Sequence, residues 1–142
     1  MQLVDVNIVV YAFREDLPEH DRAARWLTEL VDGDRAFGIP GVVLSGFLRI
    51  VTNPGIFRLP SPIGEALAFA EQLRESPSFV PIAPGPRHWG IFAGLCRTTG
   101  VRGNLVPDAY LAALAIESGS EWISTDRDYA RFPGLRWRHP FG

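Results

Sequence analysis

Apolar positions along this chain switch repeatedly between two spacings. QLVDV, Gln2 to Val6, is a compact apolar run that reads as a short strand, and NIVVYAFR follows at once as one or two helical turns. From Pro18 to Val31 the apolar residues Ala23, Trp26, Leu27 and Leu30 share one helical face, with charges opposite and Gly33 at the end. AFGIP predicts a second strand. Pro40 and Gly41 introduce a helix over Val42–Thr52, with Val43, Phe47, Ile50 and Val51 as its apolar stripe, and Asn53-Pro54 stops it. Pro62 to Glu75 is helical through Ile63, Ala66, Leu67, Ala70 and Leu73. FVPIA is a third strand candidate. Arg87–Thr98 is a helix closed by Gly100, and Val106–Ser118 another, with Pro107 in its first turn and Gly119 at its C-terminal end. EWIST predicts a fourth strand and RWRH a fifth, at an edge. Strands alternating with helices imply a three-layer α/β/α domain around a mainly parallel central sheet.

The remaining composition narrows the class. A length of 142 residues, without repeat or linker, predicts one domain spanning 1–142, able to bury its own core. No apolar run has bilayer length, and the first run carries Asp5 with no basic leader, so the expected compartment is the cytoplasm, with no membrane partner. The single cysteine, Cys96, cannot form an internal disulfide and reads as a small core residue. A formal net charge of −2 argues against tight nucleic-acid binding through bulk charge but leaves room for a local site. All 14 basic residues are arginine, and Arg127, Arg131, Arg136 and Arg138 crowd the C-terminal end. Two readings of that group stay open: a solvated edge, or one that binds phosphate or a partner.

The acids add chemistry to this frame. Asp5 punctuates the first apolar run, between Val4 and Val6, where an unpaired carboxylate is costly to bury. Asp126 follows the strand ending WIST, and Asp128 comes two residues later. Asp108 sits in the first turn of the Pro107 helix. Each position has a local explanation: the helix dipole favours Asp108, and STDRD is a natural turn. Asp5 has the weakest one. At one rim of a parallel sheet, where strand carboxyl ends gather ligands, the acids would repel one another. Two carboxylates about 5 Å apart cost roughly 3 kcal/mol at an effective dielectric near 20. Such a group raises its own pKa values or takes up a cation. Oxygen donors without histidine or thiolate suit Mg²⁺, or Mn²⁺ in its place. The three histidines, His20, His88 and His139, show no metal-ligand spacing. Acid-only Mg²⁺ sites commonly act on phosphate esters.

The ordered set VDVNIVVYAF, FLRIVTNP, GNLVPDAYLAALAIESG and WISTDRDYARFPGL resembles the PIN-domain toxins of the VapC type, bacterial toxin–antitoxin ribonucleases, over about residues 1–138. The last two motifs, which set Asp108 and Asp126 eighteen residues apart, are the more specific. The resemblance implies that Asp5, Asp108 and Asp126 are metal-binding acids and that Asp128 is a further acidic member. It makes Asn7 a support for Asp5, and Thr125 a hydroxyl near the metal or the scissile phosphate. It further implies Mg²⁺-dependent cleavage of RNA, usually transfer or other structured RNA, a homodimer, and a VapB-type antitoxin that plugs the site.

The family's second acid is a glutamate just before a Phe-Leu-Arg sequence. Here that sequence is Phe47-Leu48-Arg49, and the glutamate's place is held by Gly46. Glycine inside a helix costs about 1 kcal/mol relative to alanine, and the stripe on either side gives no reason for a kink. Either the glycine is an inactivating change from the family's glutamate, or the natural chain has glycine and is a weakened nuclease or a binding-only relative. Phosphatases and receiver domains also place acids at such rims, but they need a later lysine that this chain lacks.

Overall fold

The computed structural model describes residues 1–142. Its elements, in chain order, are β1 (Gln2–Val4), α1 (Val6–Phe13), α2 (His20–Asp32), β2 (Phe37–Gly38), α3 (Gly41–Val51) and α4 (Ile63–Arg74), then α5 (His88–Thr99), a 3-10 turn (Gly103–Leu105), α6 (Val106–Glu117), β3 (Glu121–Ile123), a second 3-10 segment (Arg127–Arg131) and β4 (Trp137–Arg138). The four strands form one sheet in the order β2-β1-β3-β4. Every pairing is parallel. Six helices flank it, giving the three-layer α/β/α arrangement that the alternation implied.

Short strands suffice because their residues are covered on both sides, as parallel sheets require. Leu3, Val4, Phe37, Trp122 and Ile123 are completely buried. They join one core with Ile8 and Val9 of α1, Phe47 and Val51 of α3, and the alanines of α6. Helix α1 packs on α2 and α3, α5 packs on α6, and α6 packs on β3. Phe47 meets Phe13 edge-on at 5.3 Å and Phe69 at 5.8 Å, which sets the roll of α3 against α1 and α4.

The third strand candidate does not form. FVPIA touches the sheet edge at one point: Phe37 donates its N–H to the Ser78 carbonyl at 3.0 Å, and Val80 donates to the Phe37 carbonyl at 2.8 Å. This leaves a lone parallel bridge between Phe37 and Phe79. Pro81 has no N–H with which to continue. The segment crosses β2 closely. A Cβ on Gly38 would lie 2.8 Å from side-chain atoms of Ile82 and Leu3 and 3.1 Å from the Val80 carbonyl, so the crossing requires glycine there. RWRH does form an edge strand, reduced to Trp137–Arg138.

The connections leave β1 in opposite directions. The chain moves from β1 out to β2, then returns across β1 to β3 on its other side. The gap between the carboxyl ends of β1 and β3 is therefore a topological switch point, where open α/β sheets leave a crevice. Val4 pairs with Ile123, and Asp5 donates its N–H to the Ile123 carbonyl at 2.9 Å. Asp5 and the SerThrAsp segment after β3 thus emerge side by side.

Candidate active site

A cleft of about 320 Å³ opens at this switch point. Asp5, Val6 and Asn7 form its floor, α3 one wall through Val42, Val43, Gly46, Arg49 and Ile50, and α6 the other through Pro107, Asp108 and Leu111. Asp126 and Tyr129 close the end beyond β3.

Asp5 is the buried anchor, only 4% exposed. It is no longer a strand residue but the N-cap of α1, and its Oδ1 accepts the Val6 N–H at 2.7 Å. Its Oδ2 accepts from the Ser124 hydroxyl at 2.6 Å and from the Asn7 amide at 3.2 Å. Burial raises its pKa from 3.8 to about 6, against the pull of the Ser124 and Val6 hydrogen bonds and with help from the negative charges of Asp108 and Asp126. Asn7 stitches the two strand ends together. Its amide also donates to Ser124 Oγ at 3.1 Å, and its Oδ1 accepts the Thr125 N–H at 3.2 Å.

Asp108 projects from the first turn of α6, half-buried, and accepts from the Tyr129 hydroxyl at 3.3 Å. Burial raises its pKa first, then the charge of Asp126. The Tyr129 bond and the Arg131 charge pull the other way, while Asp128 adds to the rise. Tyr129 is 2% exposed and packs on Trp122 at 5.4 Å, so the sheet itself steadies Asp108. Burial pushes the Tyr129 hydroxyl far above its ordinary range, and the charges of Asp5 and Asp108 add to that; it stays a donor. Asp126 caps the second 3-10 segment, with Oδ1 accepting the Asp128 N–H at 2.9 Å.

The expected residues therefore divide. Asp5, Asn7, Asp108, Asp126 and Gly46 face one cleft. Asp128 is exposed and pairs with Arg131 at 3.5 Å, outside the lining. Thr125 contributes its backbone N–H, and the hydroxyl bonded to Asp5 belongs to its neighbour Ser124. Sequence alone does not single out Ser124 and Tyr129. Both stand inside WISTDRDY, where a hydroxyl at a strand end and an aromatic three residues beyond an acid were the available signals. Gly46 is free of backbone constraint, since its φ is not positive. An added Cβ would meet only Val6 Cγ2, at 3.8 Å, an ordinary contact. The C-terminal arginines are mostly engaged: Arg131 with Asp128, Arg138 with Glu121 at 3.1 Å, and Arg136 with the Gly119 carbonyl.

Burial, with the charges of neighbouring acids, raises the proton affinity of Asp5 and Asp108, and the three carboxylates of the cleft are a donor set that suits a hard divalent ion in kind. The cage is open, however. No three histidine, cysteine, aspartate or glutamate side chains are disposed to hold an ion as they stand, and α3 offers no carboxylate at position 46.

Known proteins share this arrangement of chain. The family model of the PIN domain matches residues 3–135. Over 140 residues the chain is 43% identical to VapC ribonuclease Mb2897 of Mycobacterium bovis, covering 99% of this chain and 95% of that one. It is 41% identical to Ribonuclease VapC25 of Mycobacterium tuberculosis, with 99% of each covered. The solved VapBC2 of Rickettsia felis, bound to a DNA fragment from its promoter, has the same fold, with a TM-score of 0.68 at 16% identity and 97% of each chain covered. The matched span takes in the cleft acids from Asp5 to Asp126. The chain belongs to the PIN-domain family, among the VapC-type ribonuclease toxins.

Proposed function

We propose that this chain is a divalent-metal-dependent endoribonuclease, the toxin of a VapBC pair. It hydrolyses phosphodiester bonds in transfer or other structured RNA and works with a metal site weakened at Gly46. The observation that carries the reading is the acidic cleft at the β1/β3 switch point, lined by three carboxylates against one arginine, in a chain so similar to named ribonucleases.

Asp5, Asp108 and Asp126 would hold Mg²⁺ or Mn²⁺, which when bound supplies an activated water and charge stabilisation at the phosphoryl oxygen. The chain's own residues do the rest. Asp5 is immobilised by hydrogen bonds from Val6, Asn7 and Ser124, so its position is set before any substrate arrives. Tyr129 orients Asp108 by donating to one carboxylate oxygen and leaves the other for the cleft. Asp126 uses Oδ1 on its own turn and keeps Oδ2 for the cleft. Unneutralised, the three acids repel an RNA phosphate, so binding of substrate and of cation are coupled. Asp128 and Thr125 act at one remove, by shaping the 3-10 turn and the strand end.

A VapB-type antitoxin is the partner in this reading, set at the cleft rim over the exposed Val42 of α3. Its tail would place a basic side chain near Asp5 and Asp108, substituting for the metal charge. A structure of the complex with that part of the cleft empty would defeat the idea. The toxin is read as a homodimer in the cytoplasm, the first point being checked by sedimentation.

The test is incubation of the purified chain and its Asp108→Asn variant with total transfer RNA, in Mg²⁺ and in EDTA. Discrete, EDTA-sensitive fragments that the variant loses by at least about 100-fold support the nuclease. A second reading is favoured by Gly46 and the open cage: a PIN domain that binds antitoxin or RNA without cutting. Retention of RNA with no fragments under any condition selects it.

A further inference from the structure

Helix α3 presents Val42, Val43, Gly46, Arg49 and Ile50 to the cleft, one continuous face at helical spacing. Arg49 is the single cation among the lining residues, opposite Asp5, Asp108 and Asp126. It pairs with none of them: the ion pairs of the chain are Arg14–Asp16, Arg131–Asp128 and Arg138–Glu121. Arg49 is exposed and its guanidinium is uncommitted.

Its neighbour explains why. Side chains on an α-helix lean toward the helix N-terminus, so Arg49 covers the turn that contains Gly46. A glutamate at 46 would stand three residues ahead of Arg49, the spacing at which opposite charges pair on a helix surface. Glycine leaves the fork free and the space above it open, with only a Val6 methyl within 4 Å of where a Cβ would be. The α3 wall is thereby positive where a carboxylate would have made it neutral or negative.

We infer that Arg49 is a substrate-binding residue, its guanidinium gripping a backbone phosphate of the RNA adjacent to the bond held at Asp5 and Asp108. This rests on the nuclease reading above and adds to it the group that counters phosphate repulsion on the α3 side. A guanidinium fork takes two phosphate oxygens at once, which fixes the strand's register as well as adding charge. In Gly46→Glu, pairing of Glu with Arg49 draws the fork away, so RNA affinity falls even as metal affinity rises.

The test is fluorescence anisotropy of a short labelled single-stranded RNA of mixed sequence, in Ca²⁺ buffer, across a range of KCl concentrations. The proteins are the whole chain, Arg49→Gln, Arg49→Lys and Arg97→Gln, the last an exposed arginine outside the cleft. Arg49→Gln is expected to weaken binding about five- to tenfold and to flatten the slope of log affinity against log salt by about 0.7, the loss of one phosphate contact to a single strand. Arg49→Lys keeps most of the slope but not all of the affinity. Arg97→Gln changes neither, and no variant shifts the melting temperature. An Arg49→Gln slope equal to that of the unaltered chain overturns the inference and leaves the nuclease reading standing. A chain that binds no RNA under any of these salts overturns both.

Discussion

Asp5→Asn will abolish RNA cleavage, by about 1,000-fold or more, and at the same time make the metal-free protein more stable at neutral pH. The two effects share a cause. Asp5 is buried, and its carboxyl is raised from 3.8 to about 6 by that burial, with Asp108 and Asp126 adding repulsion. A carboxyl whose folded pKa exceeds its unfolded value binds protons more tightly in the native state. The native state is therefore penalised as pH rises through the interval from 3.8 to about 6, and fully penalised above it. The penalty is about 3 kcal/mol. Asparagine caps a helix as well as aspartate does, and it keeps the acceptor for the Val6 N–H. It loses an acceptor for Ser124 and Asn7, which offsets about 1 kcal/mol. A net gain of about 1–2 kcal/mol is expected near pH 7.5 and close to none, or a small loss, near pH 4. Urea melts in EDTA at both pH values measure it. A variant less stable than its parent at the higher pH would mean that Asp5 holds the fold together, and does not sit there at a cost for binding a cation.

Gly46→Glu will raise the rate of RNA cleavage measured in Mg²⁺ at saturating enzyme by about tenfold or more, equivalent to about 1.4 kcal/mol. The structure gives the side chain room, since its Cβ meets only an ordinary contact with Val6 and the backbone needs no positive φ. It also gives it an address: the wall facing Asp5, Asp108 and Asp126. In the absence of metal two effects oppose each other. Replacing glycine inside α3 gains about 0.5 kcal/mol of helix propensity. A fourth carboxylate beside three others adds repulsion of similar or greater size, partly relieved by Arg49 at the next turn. The unliganded melting temperature should move little. With Mg²⁺ or Ca²⁺ the variant should gain more on titration than the parent, because a ligand bound to the native state alone stabilises in proportion to its affinity. Melting curves of both proteins that ignore both cations would remove the metal-site reading, and with it the nuclease.

The stability gain and the activity gain lie on opposite sides of one trade. The cleft keeps like charges near one another in a low-dielectric setting, and a fold built only for stability would remove them. Asn7, Ser124 and Tyr129 are the compensation. Each donates to an acid of the cleft or ties the strand end that carries one, which holds the mutually repelling group in place.

Most of the elements, and the acids that the structure places in one cleft, were legible in the sequence. Their signals are local: a period of 3.6 in α2, α3, α4 and α6, compact apolar runs in β1 and β3, glycine or proline at the ends, and carboxylates that interrupt apolar runs. FVPIA misleads for the same reason. Its composition is that of a strand, but pairing is a property of the neighbour, and Pro81 together with the close crossing over Gly38 stops the ladder after one bridge. Only the tertiary structure decided which acids face inward. Composition and spacing alone do not separate Asp126 from Asp128 in STDRD, yet the 3-10 turn sends one into the cleft and the other out to Arg131. Ser124 acquired its role only when β3 came to lie beside β1, which brings it within 2.6 Å of Asp5 across more than a hundred positions, and Tyr129 only when the turn beyond β3 met Asp108 at the start of α6. The sequence by itself determined which chemistry the chain carries, because side-chain type and local spacing are written in it. The sheet order decided where that chemistry meets, because convergence depends on long-range packing that no local pattern encodes.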